Sequence, residues 1–145
     1  MGIFIINGPN LNLLGKRMPG IYGTRSFSEF LEELRNEFTG IPIGYFQTNH
    51  EGGIIDKLHE IGFTADGIIL NAGAYAHTSI AIRDAIETID TPVIEVHISD
   101  IYIREEFRRT SMIAEVCAEQ ITGHGLEGYR EAILALLTGK VSKPR

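Results

Sequence analysis

The chain is poor in cysteine, in positive charge and in long apolar runs, and each shortage removes a class of function. One cysteine, Cys117, among 145 residues leaves no intramolecular disulfide to form and suits a reducing compartment. Its setting, Ala114-Glu115-Val116-Cys117-Ala118, reads as buried apolar filler rather than a nucleophile's surroundings. The formal net charge is -6. A general nucleic-acid binder needs clustered Lys and Arg, so no nucleic-acid partner is expected. A small anionic substrate needs only a few local cations. No apolar run approaches the length of a membrane span. Ile3–Ile6 is too short for a secretory signal and no basic residue precedes it. Ile6 stands where a myristoylation start wants Ser or Thr. A cytoplasmic location and no membrane partner are expected.

Several chemical signatures are missing too. There is no GxGxxG and no GxxxxGK[ST], so a nucleotide phosphate cradle is unsupported. No Ser sits in a GxSxG elbow. No two His residues have close ligand spacing and the lone Cys cannot help, so a metal is not expected.

What is present fits one compact domain over residues 1–145. Hydrophobic residues make up 43% and charged residues 22%, enough to build a core around a rigid site. Short apolar runs alternate with helical patterns. Ile3–Ile6, Ile43–Gln47, Gly67–Leu70, Val93–His97 and, more weakly, Val116–Ile121 read as strands. Phe27, Phe30, Leu31, Leu34 and Phe38 fall at helical spacing behind a capping box of Ser26 and Glu29. Ile54, Ile55, Leu58 and Ile61 mark a second helix, and Ile82, Ala85, Ile86 and Ile89 a third. Tyr129, Ile133, Leu136 and Leu137 mark the last, with Gly139 as its stop. Strict alternation predicts an α/β fold: a flavodoxin-like, doubly wound, five-stranded parallel sheet with helices on both faces.

Such a sheet gathers its strand C-termini on one edge, where ligands bind. Asn7, Gly8, Pro9, Asn10 and Asn12 follow strand one. Asn49, His50 and Glu51 follow strand two. Asn71, Gly73, Tyr75 and His77 follow strand three, and strand four ends in Glu95 and His97, followed by Ser99 and Asp100. His124 follows strand five. Turn formation accounts for any one of these junctions. So many hydrogen-bonding side chains on one edge point instead to a site. His97 is the natural acid–base group, because imidazole titrates near neutrality. Glu95, two residues earlier, shares its face and is placed to orient the ring or set its protonation. A structural histidine at a strand end remains the plainer alternative. His59 reads as an ordinary helix residue.

Six ordered stretches carry a resemblance over nearly the whole chain. They are Asn7-Gly8-Pro9-Asn10-Leu11-Asn12-Leu13-Leu14-Gly15 with Arg17, Pro19, Tyr22 and Gly23; Gln47–Gly52; Asn71–Ser79 continuing through Arg83-Asp84-Ala85; Glu95–Ser99; Arg104–Arg108; and Gly123–Tyr129. Together they resemble the type II 3-dehydroquinate dehydratases. The resemblance implies cofactor-free dehydration of 3-dehydroquinate to 3-dehydroshikimate, in the shikimate pathway of aromatic amino-acid biosynthesis or in quinate breakdown. It also implies trimers assembled into a dodecamer. By residue, it implies Tyr22 as base, Arg17 as the cation activating it, His97 as general acid, and Asn10 as holder of a water at the enolate. Asn71, His77, Ile98, Ser99 and Arg108 match substrate contacts, and Asp84 matches a residue lent by a neighbouring subunit. No role follows for His50. Residues 16–23 match a mobile lid. Met18, Ala72 and Tyr102 depart from the usual Glu, Pro and His. Two other readings stay open: a non-catalytic or flavin-binding flavodoxin-like module, and a hydro-lyase of the same family acting on a related cyclic acid.

Overall fold

A computed structural model describes residues 2–16 and 24–144. Arg17 and Tyr22, with most of the expected lid, lie outside the described residues.

Five parallel strands form one sheet: β1 (Ile3–Asn7), β2 (Ile43–Gln47), β3 (Gly67–Asn71), β4 (Val93–His97) and β5 (Glu119–Thr122). Their order is β2-β1-β3-β4-β5, the flavodoxin-like winding with its switch point between β1 and β3. Among the described residues, four α-helices cover the sheet: α1 (Phe27–Glu37), α2 (Glu51–Ile61), α3 (Ile80–Thr88) and α4 (Glu127–Leu137). β3 and β4 are buried along their whole length, as expected of strands covered on both faces.

The core divides by face. On one side, Phe27, Phe30 and Leu34 of α1 and Tyr129, Ala132 and Ile133 of α4 pack on Ile5, Ile69, Ile94 and Val96. On the other, Ile54 and Leu58 of α2 and Ile82, Ala85 and Ile86 of α3 pack on Ile6, Ile68 and Leu70. The period-2 alternation of the strands sends successive side chains to opposite faces. Each fully buried aliphatic side chain contributes about 1.5–3 kcal/mol of burial, so the helical spacing read in the sequence is what holds each layer.

Local signals work as expected at several ends. Ser26 Oγ accepts from the Glu29 N–H at 3.2 Å, capping α1. Gly139, at φ 68°, follows the end of α4. Strand five is the main correction. It begins at Glu119, not Val116, and Ala114–Val116 is a 3-10 turn. The reason lies in Ser111, whose hydroxyl oxygen accepts from Ile113 N and Ala114 N and curls the chain before it can extend. α3 likewise stops at Thr88, one residue short of the buried Ile89.

Candidate active site

The C-terminal row of the sheet carries amides in register. Asn7 of β1 sits opposite Gln47 of β2 and Asn71 of β3. Asn7 and Asn71 are buried and share one phenol from the opposite end of the chain. The Tyr129 hydroxyl donates to Asn7 Oδ1 at 2.7 Å and accepts from Asn71 Nδ2 at 2.9 Å. Burial pushes the Tyr129 phenol above its ordinary value, so it stays a neutral donor. Asn71 Oδ1 accepts from Gly73 N at 3.1 Å, which leaves one Nδ2 proton of Asn71 for the cleft.

Above this row, the loop after β1 is tied down. Gln47 Nε2 donates to Gly8 O at 3.1 Å, and Asn49 Oδ1 accepts from Asn10 N at 3.0 Å. A Cβ on Gly8 would lie 2.7 Å from the Ala72 carbonyl oxygen, so only glycine lets these two loops approach so closely. Asn10 adopts φ 70°, the one positive φ outside glycine among the described residues. Asn tolerates that region better than most residues, and strain of this kind gathers at functional sites.

These loops and the end of β4 enclose a cleft of about 560 Å³, part of it open to solvent. Asn10, Asn71, His77, His97, Ile98, Ser99, Arg104 and Arg108 line it. A second concavity, at the opposite edge of the sheet, has one titratable lining residue, Asp66, which already accepts from Gly2 N at 2.8 Å.

His97 is 5% exposed and Glu95 is wholly buried. His97 Nε2 lies 2.5 Å from Glu95 Oε2, the geometry that two like-facing strand residues were expected to allow. A carboxylate can only accept, so Nε2 carries the proton and Nδ1 is the nitrogen left for the cleft. The His77 ring stacks beside it, with centroids 5.9 Å apart. His77 Nδ1 faces the Thr110 carbonyl at 2.9 Å. A carbonyl cannot donate, so Nε2 is the free acceptor of the neutral ring.

Burial, aided by positive charge on His97 and Arg108, lowers the His77 pKa below the ordinary value, against the opposing Thr110 bond. The folded state therefore prefers neutral His77. The stability this contributes is complete above the unfolded pKa of about 6.5 and is lost as pH falls through the lower folded value. His77→Asn is expected to flatten the fall of Tm on acidification below about pH 6.5. Parallel Tm–pH curves for the variant and the wild type would contradict this.

The other expected residues separate. Ser99 Oγ receives a hydrogen bond from Arg104 at 3.4 Å. Arg108 reaches the cleft while its Nε pairs with Glu105 at 2.5 Å. Asp84, on α3, does not line its own chain's cleft. His50 caps the start of α2 without a side-chain bond. His124 turns outward to Glu131 at 2.7 Å, so of the four histidines at strand ends only His77 and His97 line the cleft. Burial pushes the Cys117 thiol far up, consistent with a filler.

A family profile described as dehydroquinase class II matches residues 1–137. The chain belongs to that family. A 3-dehydroquinate dehydratase of Halalkalibacterium halodurans is 52% identical over 140 residues, covering 95% of this chain and 97% of the relative. One of Bacillus licheniformis is 53% identical over 133 residues, covering 90% and 92%. The crystal structure of the type II dehydroquinase of Butyrivibrio crossotus superposes with a TM-score of 0.88 at 48% identity, covering 94% of this chain and 97% of that one.

Two residues that support this dehydroquinase-family cleft from behind, through Glu95, are not legible as site residues in the sequence. Ser111 donates to Glu95 Oε2 at 2.7 Å, and Gln120 Nε2 donates to Glu95 Oε1 at 3.1 Å. For Gln120 a signal existed: it is the β5 partner of Glu95 in parallel register. It was unusable while strand five had the wrong start. Ser111 sits in irregular chain with no period to place it.

Proposed function

We propose that this family member dehydrates 3-dehydroquinate to 3-dehydroshikimate by anti elimination through an enolate, as a step of the shikimate pathway or of quinate breakdown. Beside family membership, the observation that supports this most is the buried His97–Glu95 pair at 2.5 Å, in a cleft shared with Asn10, His77 and Arg108.

The proton beside the substrate's carbonyl is weakly acidic. In this reading Tyr22 removes it as phenolate. A phenol has an ordinary pKa of about 10, and a nearby permanent cation, Arg17, favours its ionised form. The electron pair left on carbon becomes the enolate, and a water held by Asn10 donates to the oxygen where charge develops. The enolate then collapses into the conjugated enone, the bond to the hydroxyl breaks, and His97, as imidazolium with Nε2–H on Glu95, gives its Nδ1 proton to that oxygen, which leaves as water. Asn71 and His77 Nε2 hold substrate hydroxyls. Backbone N–H groups of Ile98 and Ser99 hold the carboxylate, and Arg108 adds opposite charge.

Asp84 is assigned to a neighbouring subunit's site within a trimer, and trimers to a dodecamer. Two features favour assembly: Asp84 does not line its own chain's cleft, and Ile103 and Phe107 are 79% and 70% exposed beside the cleft residues Arg104 and Arg108. A cytoplasmic setting agrees with the free, buried Cys117.

The test is turnover of 3-dehydroquinate by purified protein, followed by ultraviolet absorbance of the enone, alongside a panel of related cyclic acids. Folded protein without turnover would sink the reading. Tyr22→Phe is expected to abolish kcat and keep the fold, whereas near-wild-type kcat would assign the base elsewhere.

A further inference from the structure

The Glu95 carboxylate takes donors from three parts of the fold. His97 Nε2 and the Ser111 hydroxyl reach Oε2 at 2.5 and 2.7 Å, and Gln120 Nε2 reaches Oε1 at 3.1 Å. We infer that Gln120 and Ser111 are positioning residues that clamp this carboxylate, so that it holds the His97 ring in one orientation with Nδ1 towards the cleft. The inference rests on the dehydratase reading for its kinetic consequence and on geometry alone for the clamp.

Each donor has only one way to point. The Ser111 oxygen accepts from the backbone N–H groups of Ile113 and Ala114 at 3.3 and 3.1 Å. Its lone pairs are thereby taken, and its proton goes to Glu95. A Gln amide can flip, but the Glu95 carboxylate can only accept, so the NH2 faces Glu95 and Oε1 points outward, where it accepts from the Tyr102 hydroxyl at 2.7 Å. In-register pairing of Glu95 with Gln120 sets the two side chains side by side on one face of the sheet. Two oxygens held from different directions stop the carboxylate from rotating, and a fixed carboxylate fixes the ring it accepts from. Tyr102, 47% exposed, thus acts on the site through Gln120 without touching it.

The experiment compares Gln120→Leu, Ser111→Ala, Ser111→Thr and Tyr102→Phe with wild type. Two readouts are used: steady-state kinetics with 3-dehydroquinate, and the NMR signals of the His97 ring, assigned by their loss in His97→Gln. Loss of one clamp bond is expected to lower kcat on the order of 5–30-fold in Gln120→Leu and Ser111→Ala, with KM almost unchanged. The Nε2–H signal of His97 should move in both. Ser111→Thr keeps the hydroxyl and should restore both readouts. Tyr102→Phe, altered at an exposed site that does not threaten folding, should show a smaller loss in the same direction.

Wild-type kcat and unmoved ring signals in folded Gln120→Leu would overturn the inference. If Gln120→Leu does not fold, the same outcome in Ser111→Ala and Tyr102→Phe overturns it. A wild type without turnover would remove the dehydratase reading alone, because the ring signals still decide whether the clamp exists.

Discussion

His97→Gln is expected to lower kcat by about 10²–10⁴-fold, the usual worth of a positioned general acid, with the fold intact. The leaving hydroxyl needs a proton, and of the cleft's two imidazoles His97 is the one backed by a carboxylate, at 2.5 Å. A glutamine amide cannot deliver a proton, but it can still donate to Glu95. That matters because Glu95 is wholly buried. Removing a donor outright, as in His97→Ala, leaves a buried charge under-satisfied and costs about 1–3 kcal/mol or more, mixing instability with lost chemistry. The check is steady-state kinetics with thermal unfolding on the same samples. Wild-type kcat in His97→Gln would pass the acid's role to another group. A KM raised as steeply as kcat is lowered would make His97 a binding residue first.

Tyr129→Phe is expected to produce the largest stability loss of any single-oxygen deletion near the site. The ring keeps its packing, edge-on to Phe27 at 4.9 Å and to Phe30 at 6.2 Å. The hydroxyl alone is lost, and with it the partners of Asn7 Oδ1 and Asn71 Nδ2. Each orphaned buried group costs about 1–3 kcal/mol, so about 2–6 kcal/mol for the two. At this chain length that lowers Tm by on the order of 10 °C. Activity should also fall, because the Asn71 amide is then held by its bond from Gly73 N alone and presents its second proton to the cleft less firmly. Thermal unfolding checks the first effect and kcat/KM the second. A Tm within about 2 °C of wild type would mean that the two amides find other partners.

The fold was legible because its signals are periodic. Phe27, Phe30, Leu31 and Leu34 could face only one way on a helix, and all four are buried. Strands β1 to β4 were found to within one residue. Strand five was misplaced because Val116 looks extended by composition, whereas one hydroxyl at Ser111 turns the chain. The site was legible in part. His97 and Glu95 declared their pairing by an i, i+2 spacing on a strand. His124 looked equivalent, but its ring turns to Glu131, a choice that local spacing does not encode.

The buried network under the cleft lay beyond any such reading. Asn7 and Asn71 look like turn residues, and Tyr129 looks like one more apolar position on the last helix. Only folding brings a phenol 122 residues away onto Asn7.

The sequence by itself determined the layered α/β architecture, the edge of the sheet that carries the site, and the family. Hydrophobic period and ordered motifs are local properties of the chain, and they survive without coordinates. The tertiary structure alone decided which polar residues face the cleft, which nitrogen of His97 meets Glu95, and which side chains hold Glu95 in turn. Those depend on hydrogen bonds between distant strands, loops and helices, whose directions are settled only when the sheet register and the two packed faces are in place.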